Sequence, residues 1–278
     1  MKNIELKGGI KMKKIILSLL VISVLLVSVG MVVAEKNQQQ KQDKKTGLPK
    51  NAVEIEPGVF YLGKKIDKGK VVEGYAFVHY DAKNPDRVKK PKPTPTEDDS
   101  RVYKLLGVKW FDAIQYEVNT FGSGLDESEV INILSKSLET WDSKTSFELF
   151  NDELVSTTET FVEGAEPDFI NRIVWKYFGG SGTIAYNAFW YYPVTNEMIE
   201  SDVVFNSYYD WNIEETCPSN KMDLQNIATH EFGHNGLADL YQRPTRPLTM
   251  YGYSTEGEIS KRDLATGDIL GIQELYGI

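Results

Sequence analysis

A chain of 278 residues with 41% hydrophobic content can bury one good core and a smaller appendage. Its net charge of −9 lacks the basic face that phosphate recognition needs, so no nucleic-acid partner is expected. A single cysteine, Cys217, rules out an internal disulfide, and the fold must stand without that staple.

Residues 1–34 read as a targeting segment. Lys11, Lys13 and Lys14 precede an uncharged apolar run over residues 15–34 that ends Val32-Val33-Ala34 before Glu35. This is the pattern of a secretory signal peptide, and the run is also just long enough to span a bilayer as an anchor. Either way the protein is expected outside the cytoplasm, with a membrane partner only if the segment is retained. Residues 35–50 are Gln-, Lys- and Asn-rich, a polar tether.

Val59-Phe60-Tyr61-Leu62 and Tyr75-Ala76-Phe77-Val78-His79-Tyr80 are strand-like, with turn chemistry over residues 64–70. They predict a small β-element, either a pro-segment or a first strand pair of the main domain. His79 lies in its second run. It is a candidate distant metal ligand, although a lone strand histidine is more often just a strand residue. Lys89-Lys90-Pro91-Lys92-Pro93-Thr94-Pro95-Thr96 then reads as an extended linker closing a 35–100 region.

The main domain is expected over residues 101–278. Ile114-Gln115-Tyr116-Glu117-Val118 alternates as a strand with one apolar face. Asp126 followed by Glu129 signals a helix start, behind which Val130, Leu134, Leu138 and Trp141 share a stripe. Arg172-Ile173-Val174-Trp175, residues 183–192 and Asp202-Val203-Val204-Phe205 are further strand candidates. A helix is predicted from Asp223 to about Gly236, and a last one starting at Ser260 or Asp263 with Ile269, Ile272 and Tyr276 inward.

Two of the chain's three histidines fall in His230-Glu231-Phe232-Gly233-His234. Four residues apart on a helix, they can present two imidazoles to one point, as zinc favours, with Glu231 placed to hold a water. The plain alternative is a helix whose histidines are merely half buried.

From Lys109 onward the chain resembles the catalytic domain of a matrixin-type metzincin, a zinc-dependent endopeptidase. The segments carrying the likeness are Lys109-Trp110, Glu139-Thr140-Trp141, Ile199-Glu200-Ser201-Asp202-Val203-Val204-Phe205-Asn206 and Ile227-Ala228-Thr229-His230-Glu231-Phe232-Gly233-His234. They are followed by Leu248-Thr249-Met250-Tyr251-Gly252-Tyr253, similar to the Met-turn, and a C-terminal helix from Asp268 to Gly277. The resemblance implies an α+β fold: a twisted mixed β-sheet with an active-site helix, a backing helix and a C-terminal helix. It implies one catalytic zinc held by His230 and His234, Glu231 as general base, Met250 as an apolar floor, and a peptide or protein substrate. Residues 184–190 resemble the edge strand above the cleft, to which an extended peptide could add, and Tyr251 and Tyr253 line a side-chain pocket or simply the core. The cysteine-containing pro-peptide switch and the extra structural-zinc histidines of animal members are absent, while the acidic surplus permits calcium sites without locating them.

One departure falls at the metal. The family's spacing places glycine and the third ligand one position later than Gly236 and Asp239 stand here. An unbroken helix would put Asp239 about 140° from the metal face. Asp239 is therefore expected as third ligand only if the chain turns at Gly236, in the left-handed conformation that ends a helix. Cys217, Glu256 and Glu258 are rivals for that place. If the shortened loop spoiled the site, the chain would be an inactive binding module; retention of Glu231 favours the enzyme.

Overall fold

The computed structural model describes residues 46–83, 101–151, 153–160 and 167–278. The apolar run at 15–34 and the Pro-rich stretch lie outside the described residues. Among the described residues no helix is long and apolar enough to cross a membrane.

The fold is α+β. One mixed nine-stranded sheet is built from β1 (Val53–Glu56), β2 (Val59–Asp67), β3 (Lys70–Asp81), β4 (Tyr116–Asn119), β5 (Val155–Ser156), β6 (Asn171–Lys176), β7 (Thr183–Tyr192), β8 (Glu197–Asn206) and β11 (Tyr253–Ser254). Its spatial order is β1-β2-β3-β7-β8-β6-β4-β5, with β11 pairing the end of β3 at Tyr80 and Asp81. Strands β8, β6, β4 and β5 run parallel, whereas β7 is antiparallel to β8 and β3 is antiparallel to β7. A two-stranded parallel pair, β9 (Trp211–Asn212) and β10 (Met222–Asp223), leads into the second helix.

Alternation along the central strands divides the core in two. Ile173, Trp175, Val203, Phe205, Ala185 and Phe189 face the helices, while Val174, Val204, Tyr186, Ala188 and Trp190 face away with Phe60, Leu62, Val72, Ala76 and Val78. Helix α1 (Glu127–Asp142) buries Val130, Leu134, Leu138 and Trp141, the stripe its sequence predicts. Asp126 caps it, with Oδ1 accepting from the Ser128 and Glu129 amides at 2.9 and 3.2 Å. The Trp141 indole N–H donates to the Thr229 carbonyl at 2.7 Å, locking α1 to α2 (Leu224–Gly233).

Several boundaries differ from the sequence reading. Residues 64–67 continue β2 as strand, and the hairpin turns at Lys68 and Gly69, both with positive φ. Helix α2 ends at Gly233, short of Gly236. Ser260–Arg262 forms only a 3₁₀ turn; the last helix, α3 (Thr266–Tyr276), starts later, where Asp268 accepts from the Ala265 amide at 3.0 Å. Most consequential, β1–β3 are continuous with the main sheet. The strand over residues 183–192 is therefore not an open edge: β8 holds one side and β3 the other, paired from Glu73 opposite Tyr191 to Tyr80 opposite Thr183. The backbone edge of β3 needs a partner, and β7 supplies it.

Candidate functional site

Helix α2 carries His230 and Glu231, and His234 is its C-cap. Asp223 caps its start, accepting from the Asn226 amide at 2.9 Å and held by Arg262. One turn separates His230 from His234, so both imidazoles leave the same face. Each is oriented by a backbone carbonyl: His230 Nδ1 donates to Thr249 O at 2.7 Å and His234 Nδ1 to Leu237 O at 2.9 Å. In the neutral ring the proton is then on Nδ1, leaving Nε2 as a bare lone pair.

Asp239 joins them, though not as the sequence suggested. Gly236 does not adopt positive φ; the helix has already stopped, with His234 as its C-cap. Leu237 N still bonds Gly233 O at 2.9 Å, and the next residues are then clamped from both sides. Ala238 N donates to Lys104 O at 2.8 Å and Leu240 N to Met250 O at 2.8 Å, which aims Asp239 between them at the histidines. At Gly236 a Cβ would stand 2.5 Å from Leu275 Cδ1 of α3, the tip of a half-buried side chain that a larger residue there would push aside.

The result is a set of opposed acceptors. Asp239 Oδ1 lies 3.1 Å from His230 Nε2 and 3.6 Å from His234 Nε2, and none of the three atoms has a hydrogen-bond partner. Lone pairs converging in a buried site repel one another unless a cation lies between them. Two donors about 2.0–2.1 Å from one tetrahedral ion stand about 3.3 Å apart, which the two distances bracket. Two neutral imidazoles and one carboxylate suit zinc. Tyr241 O–H donates to Asp239 Oδ2 at 2.7 Å, holding the carboxylate in place.

Glu231 stands beside this triad, with Oε2 unpartnered. Burial, with Asp239 nearby, holds its carboxyl well above the usual carboxylate range. Burial also lowers the His234 imidazole to about 4, against the attraction of Asp239. For Asp239 burial pushes upward, but His234, His230 and Tyr241 together keep its carboxyl low and ionised. Met250 packs under α2, where a Cβ on Gly233 would come within 2.2 Å of its sulfur. Asp268 secures that turn by accepting from the Thr249 and Met250 amides at 2.8 and 3.1 Å.

The rival ligands lie elsewhere. Cys217 Sγ contacts the Lys221 carbonyl, Glu256 pairs with Lys83, and Glu258 pairs with Lys261. His79, for which a distant metal ligand and an ordinary strand residue were both open, lies beside the site: its Nδ1 is 3.2 Å from Glu231 Oε1 and its ring centroid 3.8 Å from that of His230. The usable signal was its rarity, as the third of only three histidines. Asn235 carried no signal at all. It is fully buried, accepts from Trp110 Nε1, donates to Tyr116 and Phe232, and takes the Tyr276 hydroxyl on its carbonyl.

A matrixin family model matches residues 109–277, the stretch whose motifs carry the resemblance. Stromelysin-1 of Mus musculus is 27% identical over 173 residues, covering 61% of this chain and 33% of that protein, so the chain spans about a third of that relative's length. With the family model covering most of the chain on a fold of the expected class, the chain belongs to the matrixins, a family of zinc-dependent endopeptidases.

Proposed function

We propose that this chain is an exported endopeptidase whose residues 101–278 form the peptidase unit, with His230, His234 and Asp239 as zinc ligands and Glu231 as general base. The observation that carries the reading is the convergence of three unpartnered buried acceptors beside a second carboxylate, Glu231. The basic n-region and apolar run of residues 11–34 support export.

When bound, zinc would act as a Lewis acid toward the scissile carbonyl and make a water acidic near neutrality. Glu231 takes the proton of the attacking water and later hands it to the leaving amine. For this its carboxyl must be ionised before attack. Burial opposes that in the metal-free chain, and a cation at the neighbouring donors favours it. Thr249 O and Leu237 O keep both imidazoles in the tautomer that presents Nε2, and Met250 keeps the underside of the site apolar. Substrate is an extended peptide, matched to the sheet-edge geometry of β7, which it reaches only when β3 stands aside.

Glu231→Gln tests the assignment. The variant is expected to keep its zinc and its circular-dichroism spectrum while hydrolysis of an unfolded protein substrate falls about 10²–10⁴-fold. Hydrolysis within a few-fold of the parent would assign the proton transfers to another group.

A further inference from the structure

The segment after Met250 walls a cavity that the proposed metal donors do not use. It measures about 580 Å³, and its lining includes Arg243, Arg246, Tyr251, Tyr253 and Glu258. The wall adjoins the donors along the chain. Tyr251 is bridged to Leu240, which sits between Asp239 and the Tyr241 that holds its carboxylate.

Although the chain as a whole has a net charge of −9, this cavity is basic. A 3₁₀ turn, Arg243–Thr245, sets both arginines. With three residues per turn, positions 243 and 246 lie one above the other, and Arg246 N bonds Arg243 O at 3.2 Å. Both side chains are exposed, and among the described residues neither guanidinium has a carboxylate partner. The lining's only carboxylate, Glu258, is engaged already. Its Oε1 takes the Lys261 ammonium at 2.8 Å and the Ser260 hydroxyl at 3.0 Å, and its Oε2 accepts from the Thr255 amide at 3.1 Å. Burial lowers the Lys261 ammonium below its usual range, Glu258 opposes that, and Arg246 adds to it. Two unpaired guanidiniums on a cavity whose own carboxylate is neutralised attract an anion, and their planar fork fits a carboxylate.

Sheet geometry says which part of a substrate would meet them. Strand β7 takes antiparallel neighbours on both sides. Its Thr183 end lies at the cavity: Asp81 N bonds Gly182 O and Ala82 N bonds Ser254 O, each at 2.8 Å, and Ala82 is part of the lining. The metal site stands further back, where His79, opposite Ala185, lies over His230. A peptide antiparallel to β7 would therefore pass the metal first and then the cavity, toward its own C-terminus.

We propose that Arg243 and Arg246 make this cavity a pocket for an acidic side chain, Asp or Glu, among the first three residues after the cut bond. The inference rests on the peptidase reading above and adds a substrate preference to it.

The test uses the full, zinc-loaded chain and peptide pairs that differ only by Glu or Gln at one of those three positions. The parent is expected to favour Glu at one of them by about tenfold or more in kcat/KM. Arg243→Gln and Arg246→Gln together should bring that ratio to within about twofold, with zinc content and circular dichroism unchanged. Arg246→Glu gives a second reading should the double variant fail to fold: preference should pass to a peptide carrying Lys at that position. Equal rates on every pair for the parent, or a Glu preference that survives these substitutions, overturns this inference alone. Sulfate that raises the melting temperature of the parent but not of the double variant, with every pair cut equally, assigns the cavity to a free oxyanion and also overturns it. A parent that cuts no peptide overturns the peptidase reading and this inference with it.

Discussion

Asp239 reaches the histidine pair one residue earlier than the family's spacing, and the structure gives a physical reason. The helix ends before the ligand loop, and backbone bonds to Lys104 and Met250 on either side set the direction of residues 238–240. A carboxylate with its second oxygen on Tyr241 replaces what a longer imidazole would have spanned. Asp239→Ala is accordingly expected to weaken zinc binding at least 100-fold by competition with a chromophoric chelator, within the reach of a lost donor. Cys217→Ser, Glu256→Ala and Glu258→Ala should bind as the parent does. Unchanged affinity in Asp239→Ala would place the third ligand elsewhere.

At the scale of elements, the site depends on α2 lying flat against α1. Trp141, 0% exposed, both packs there and donates to Thr229 O one residue before His230. Trp141→Ala should cost about 3–5 kcal/mol of stability, read from urea unfolding; a loss under about 1 kcal/mol would mean that α1 does not set the position of α2. Most elements could be read from the sequence because their signals are local: the Asp126 cap, the apolar stripe of α1, the β-branched runs of β6 to β8. The closeness of His230 and His234 was legible for the same reason, since helical spacing alone puts them on one face. What was illegible depends on contacts distant in sequence. Strand β3 was left between a pro-segment and a first strand pair of the main domain because nothing local says that it pairs with β7, more than 100 positions on. His79 was left open with it. Gly236 was given a left-handed role that its backbone does not take, because the helix stops earlier and bonds to Lys104 and Met250 direct the chain instead.

Across the whole molecule, strands β1–β3 and the matrixin-like region share one sheet and both faces of its core, so the proposed metal donors are sealed from solvent. Sealing them has a cost in acid. With His234 lowered to about 4 by burial, the metal-free native chain binds fewer protons than the unfolded chain between about pH 4 and 6.5. Its stability from this group is complete above pH 6.5 and is lost as pH falls toward 4, about 3 kcal/mol in all. Glu231, raised by burial, acts in the opposite sense, so the comparison is with His234→Gln. Melting curves after chelator treatment should fall more steeply with acid for the parent than for that variant; parallel profiles would refute the assignment. The most direct test of the account is metal analysis of the intact, purified chain after incubation with zinc and removal of excess. One zinc per chain, kept by Glu231→Gln and lost by His230→Ala, is the predicted result; a folded parent that retains no zinc would contradict it.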